Sequence, residues 1–200
     1  MDEVVERLGR IRERIEAAAP GPGEVNVVGV TKGFAAPLVA TAVDAGLTDL
    51  GENYAQELVS KAVGAPASLR WHYLGAVQRR RVPSLVPHVA LWETMDRPEA
   101  ADVVASRQPG AAVLIQVNMV GDPRKLGCAP ANAPQLVEHC RGRGLDVRGV
   151  MTVGPAGDLE GARRCFAGLA AMAEDLGLAE LSMGMSDDYE VAVAEGATSV

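Results

Sequence analysis

At 200 residues the chain has room for one domain and can bury a substantial core, and its make-up, 48% apolar and 22% charged, is that of an ordinary globular protein. A net charge of −7 speaks against nucleic acid as a partner, because a phosphate backbone favours a basic surface. No apolar run approaches the roughly 18 residues of a membrane span, the N-terminus lacks the apolar stretch of a signal peptide, and Cys128, Cys140 and Cys165 have neither a disulfide framework nor zinc spacing, so a cytoplasmic protein without membrane contact is expected.

In chain order, Val4, Val5, Leu8, Ile11 and Ile15 recur at helical spacing and predict an amphipathic N-terminal helix. Residues 24–30, EVNVVGV, read as a buried strand that stops on Thr31, Lys32 and Gly33. Leu38, Val39, Ala42 and Val43 mark a helix ending at Gly46. Further strands are predicted at 48–52 (TDLGE), 71–75 (WHYLG), 89–93 (VALWE), 111–118 (AAVLIQVN), 146–153 (DVRGVMTV) and 181–185 (LSMGM), with helical segments between them. The clearest of these helices carries Ala162, Cys165, Phe166, Leu169, Met172, Ala173 and Leu176 on one face. An eighth strand begins at 197–200, ATSV.

Repeated strand–helix alternation implies parallel strands joined by right-handed crossovers. The expected class is α/β, a (β/α)8 TIM barrel with an extra N-terminal helix, filling 1–200 as a single domain. A doubly wound open sheet is the rival, weakened by the lack of G-x-G-x-x-G after the first strand.

Barrel chemistry sits at the C-terminal ends of the strands. Those ends carry Lys32, Glu52 and Asn53, His72, Glu93, Gln116 and Asn118, Met151 and Thr152, then Ser186. A lysine at the mouth of an apolar barrel loses hydration, which favours the neutral amine and frees it to form a Schiff base with an aldehyde. The plain alternative is a lysine that snorkels to solvent or pairs with Glu52. Ser186 or Asp187 is the expected cap of a short helix whose N-terminus would suit a phosphate, provided Asp187 and Asp188 turn outward. His72 reads first as a satisfied barrel histidine and Arg79, Arg80 and Arg81 first as a solvated helix face, while Ser186 reads as well as a serine that only caps its helix.

The blocks VGVTKG, GENYAQEL, WHYLGAVQ, LIQVNM followed by KLG, GVMTVGP and LSMGMSDDYEVAVAEGAT stand in an order and spacing that resemble the pyridoxal-phosphate homeostasis proteins. That family consists of single-domain relatives of the alanine racemase barrel, the pyridoxal-phosphate fold type III. The resemblance implies that Lys32 carries pyridoxal 5′-phosphate as an internal aldimine, that Ser186 helps hold the phosphate, and that Asn53 and His72 lie around the cofactor. It also implies a monomer that serves intracellular vitamin B6 homeostasis, with pyridoxal-phosphate-dependent apoenzymes as partners. The chain departs from the family at Arg79, Arg80 and Arg81, where an asparagine and a lysine are usual. It departs again after Val200, where an R-I-G-[TS] segment usually follows. A truncated eighth strand is therefore expected, with open sheet edges and weakened phosphate binding.

Three functions remain open on these residues: a cofactor-holding module, a pyridoxal-phosphate-dependent racemase, and an aldolase-like barrel using Lys32 without cofactor. Racemization needs a base on each face of the substrate. In the racemases the resemblance points to, the opposing tyrosine comes from a second domain, which favours the holding module here.

Overall fold

Period-two alternation gives each short apolar run two unlike faces, and in the computed structural model, which describes residues 2–21 and 23–200, seven such runs pair in one parallel sheet. They are β1 (Val28–Val30), β2 (Asp49–Glu52), β3 (Arg70–Tyr73), β4 (Val89–Met95), β5 (Ala112–Gln116), β6 (Asp146–Thr152) and β7 (Glu180–Met183), in spatial order β1 to β7. Each strand pairs with its sequence neighbours, as in Gly29↔Leu50 and Gly51↔His72.

One strand face packs outward on helices. Leu50, Trp71, Trp92, Val113, Ile115 and Val150 join Leu58, Leu85, Phe166 and Leu169 in the main core. The other face fills the interior, where Leu91, Ala112, Leu114 and Met151 form a small apolar cluster of their own. Gly149 is needed where β6 meets β7, because a Cβ there would lie 1.9 Å from the Glu180 carbonyl oxygen.

The curled sheet is joined through residues 198–200. Ser199 bridges Asn26 on one side and Ser182 on the other. The Asn26 N–H donates to Thr198 O at 2.9 Å, Val28 N–H to Val200 O at 2.9 Å and Met183 N–H to Ser199 O at 3.2 Å. The edges expected to stand open are thus paired over this stretch, because a few residues suffice to reach both neighbours. The barrel architecture is the expected one, with its eighth strand reduced to these bridges.

Helices α1 (Asp2–Ala18), α2 (Pro37–Asp44), α3 (Ala55–Ala62), α4 (Val82–Leu85), α5 (Pro98–Arg107), α6 (Ala133–Gly142), α7 (Leu159–Asp175) and α8 (Tyr189–Ala194) complete the chain. Proline in the first turn sets the start of α2, α4, α5 and α6. Because Pro83 starts α4, Arg79, Arg80 and Arg81 stay ahead of it in an exposed turn and do not form a helix face. The N-terminal helix packs on α8 through Ile15, Tyr189 and Val193, and the Arg14 guanidinium donates to Glu190 while lying 5.3 Å from the Tyr189 ring centre. Among the described residues no helix is long and apolar enough to cross a membrane.

Candidate functional site

Val28 and Val30 present their side chains to a cavity of about 850 Å³ at the C-terminal ends of the strands, and Lys32, two residues further on, continues that face. The intervening Thr31 is buried, and its hydroxyl donates to Glu52 Oε1 at 2.7 Å. Asn53 follows β2 and Gln116 ends β5, and both reach the same cavity, as do Glu93 on β4 and Ser182 on β7. The volume lies within the range of small-molecule sites. Among the described residues Lys32 and Lys125 line the cavity against one carboxylate, Glu93, while the charge of Arg14 is met by Glu190, so an acidic chain has a cavity suited to an anion.

Lys32 is exposed within the cavity wall, and among the described residues no hydrogen bond or ion pair engages its ammonium group. It does not pair with Glu52. That carboxylate belongs to Lys61 of α3, whose Nζ lies 2.5 Å from Glu52 Oε1 and 2.8 Å from Glu57 Oε2. Burial works against a charged Lys61, but the two carboxylates outweigh it and push its pKa up. The two lysines therefore differ in kind: one is buried and fully engaged, the other is free and faces the cavity.

His72 does not line the cavity. It lies in the barrel interior, 5% exposed, with Nε2 2.8 Å from Asp49 Oδ1 and Nδ1 against Glu93 Oε1. Burial opposes the charged ring, but hydrogen bonds to Asp49 and Glu93 prevail and hold its pKa up at about 9. As an imidazolium it donates from both nitrogens. Asp49 is pushed up by burial and pulled further down by hydrogen bonds from His72, Arg70 and Thr48, so its carboxyl stays well below the usual range. The chain reaches the cavity at its far end, where the Ser182 hydroxyl donates to Glu93 Oε2 at 2.5 Å. His72 touches the site only through Glu93.

Ser186 lies on the cavity wall and is exposed, but neither it nor Asp187 caps the following helix. The N-cap is Asp188, which is buried and accepts the Met185 N–H at 2.5 Å, while Asp187 stays exposed. The Asp188 carboxylate thus turns back to a residue ahead of the helix and makes no hydrogen bond to the N–H groups of α8. Asn118 and Thr152 are used internally: the Asn118 amide donates to Asp122 O, and the Thr152 hydroxyl to Val117 O at 2.7 Å. Asn53 Oδ1 and Gln116 Oε1 are buried and, among the described residues, have no hydrogen-bond partner. Sequence reasoning did not single out Ser182, Lys125 or Arg14. Ser182 was legible in principle, since it lies within the short strand β7, two residues before Gly184, which also lines the cavity. Lys125 and Arg14 come from a loop and from the N-terminal helix, which carry no strand-end signal.

The family described as "Alanine racemase, N-terminal domain" matches residues 7–198. A pyridoxal phosphate homeostasis protein of Deinococcus radiodurans is 40% identical, with 96% of this chain and 93% of its own length covered. One from Pseudomonas aeruginosa is 36% identical, covering 100% and 90%. The structure of PipY from Synechococcus elongatus PCC7942, described as having PLP bound, superposes with a TM-score of 0.84 at 28% identity, covering 98% of this chain and 95% of that one.

Proposed function

Because the chain belongs to the alanine racemase N-terminal-domain family, and within it to the pyridoxal phosphate homeostasis proteins, we propose that it binds pyridoxal 5′-phosphate in this cavity through Lys32 and serves intracellular vitamin B6 homeostasis as a holder of the cofactor. One observation carries the reading: an unengaged primary amine shares the cavity with two buried acceptors that the protein leaves unsatisfied, Asn53 Oδ1 and Gln116 Oε1. A buried acceptor without a donor costs about 1–3 kcal/mol, and the ring hydroxyl and protonated ring nitrogen of this cofactor are such donors. Bound there, the cofactor supplies an aldehyde to which an amine can attach.

The chain's own residues then divide the work. Lys32 offers the amine, and Asn53 and Gln116 accept hydrogen bonds from the ligand. The Ser186 hydroxyl and the Lys125 ammonium group suit its phosphate, while His72 acts at a distance by holding Glu93. A racemase would need a base on each face. Of the three tyrosines, Tyr54 is exposed and does not line the cavity, and the Tyr73 hydroxyl donates to Ala76 O at 3.3 Å, which leaves Tyr189 on the wall. With Tyr189 on the wall beside Lys32 the tyrosines do not separate the two roles; the holding role rests on the family, whose relatives are named homeostasis proteins, and a cytoplasm suits the three unpaired thiols.

Borohydride reduction of the protein loaded with cofactor, followed by peptide mass analysis, is expected to find the pyridoxyl group on Lys32. The variant Lys32→Ala is expected to lose the visible absorption near about 420 nm while staying folded. Label on Lys61 or Lys125 overturns the assignment. Alpha-deuteration of L-alanine in deuterated water faster than about 1 per second replaces the holding role with an enzyme.

A further inference from the structure

We propose that Lys61, Glu52 and Glu57 form a positioning network for Lys32, clamping the backbone on both sides of it so that its amine is delivered into the cavity. This rests on the reading of Lys32 as the attachment residue. The clamp draws on three elements. Before Lys32, the Thr31 N–H donates to Gly51 O at 3.0 Å, the Thr31 hydroxyl to Glu52 Oε1 at 2.7 Å, and the Thr31 carbonyl accepts from Lys61 Nζ at 2.6 Å. After it, the Gly33 N–H donates to Glu57 Oε2 at 2.9 Å. Gly33 has φ +77°, where a side chain would be strained, so the chain turns sharply just past the lysine and Glu57 holds that turn.

The network does more than stabilise the barrel. A buried ion pair is a costly way to hold a helix on a sheet, and apolar packing would serve as well. What the charges add is direction: their partners are backbone and hydroxyl groups of Thr31 and Gly33, the residues on either side of Lys32. They also separate the two amines chemically. Lys61 directs its ammonium protons at Thr31 O, Glu52 and Glu57, which leaves no lone pair for an aldehyde. Lys32 has no such engagement. In attachment, the neutral Lys32 nitrogen adds to the aldehyde carbon, C=N replaces C=O, and the carbonyl oxygen leaves as water with both amine protons. That condensation depends on the orientation of the nitrogen, which the clamp sets.

Glu57 is the place to test it, because its side chain is 32% exposed and its loss leaves Lys61 still paired with Glu52. The rate of borohydride-trappable attachment of pyridoxal 5′-phosphate at Lys32 would be compared with noncovalent binding of 4-deoxypyridoxine 5′-phosphate, which lacks the aldehyde. For E57A the network predicts attachment at least tenfold slower, with binding of the analogue changed less than threefold. E57Q, which keeps an oxygen for the Gly33 N–H, should recover most of the rate. The double variant E52Q/K61M, which strands no buried charge, should be slowed like E57A. Wild-type attachment rates in E57A overturn the clamp, as does an equal loss of analogue binding, which would mark a general structural defect. If the wild-type protein labels at a lysine other than Lys32, the functional reading fails and the clamp with it. Wild-type labelling at Lys32 with an unaffected E57A overturns the clamp alone.

Discussion

His72 shows how far a single interior residue sets the pH response. Its pKa is held at about 9 in the fold against about 6.5 in the unfolded chain. The folded state therefore binds the proton more tightly, and the stabilisation is complete below about pH 6.5 and lost as pH rises through about 9. The difference corresponds to roughly 3 kcal/mol. Urea unfolding between pH 6 and 9 is expected to show a fall of this order in the wild-type protein and a much flatter profile in His72→Gln. Above pH 9 the buried Cys128 and Cys140 thiols, pushed up to about 11 and about 12, add their own loss, so the comparison belongs below that point. A histidine near a strand end was visible in the sequence, but its place was not. Whether such a residue faces ligand or underpins a neighbour depends on which carboxylates adjacent strands bring to it, here Asp49 and Glu93. Lys32 was legible for a local reason: it shares a period-two face with Val28 and Val30. Lys61 was not, because a lysine four residues after Glu57 on a helix looks like a solvated surface pair, and only Glu52 from β2 makes it a buried one.

At the level of the elements, the seven strands expected before residue 197 are present, with ends that differ by a few residues, and the eighth is reduced to bridges. The pairing tolerates little change where backbones meet. A Cβ on Gly149 would meet the fixed Glu180 carbonyl, whereas one on Gly29 would meet the side-chain ends of Leu47 and Leu50 at 2.8 Å, which can move. Gly149→Ala is accordingly expected to cost at least about 1–3 kcal/mol in denaturant unfolding, and Gly29→Ala distinctly less. An equal cost at both would mean that β6 and β7 can separate freely. Helix starts were less legible than strands. Around α8 the sequence pointed to Ser186 or Asp187 as the cap, whereas Asp188 takes the position and turns its carboxylate back to the Met185 N–H, a contact outside the helix that propensity does not foresee.

For the molecule as a whole, the curled sheet depends on a handful of bonds around residues 198–200, which sequence alone read as a stub beside open edges. The Thr198 hydroxyl accepts the Leu181 N–H at 2.8 Å, one of the ties between β7 and the closing segment. Thr198→Val keeps the shape and removes the acceptor, so a loss of about 1–3 kcal/mol in unfolding is expected, with cavity binding weakened in parallel because Val28 and Val200 both line it. A cost near zero would show that closure contributes nothing.

The same closure has a consequence in time. Asn26 meets Ser199 across nearly the whole sequence, while every other strand pair is between neighbours. Contacts between distant parts of a chain form late, because a long loop must be ordered first. The sheet can grow strand by strand as synthesis proceeds, but Lys32 and Ser186 come to share one cavity only when residues 26–28 pair with residues 198–200. On this topology the Lys32 amine is in place early, and the cavity around it is completed late.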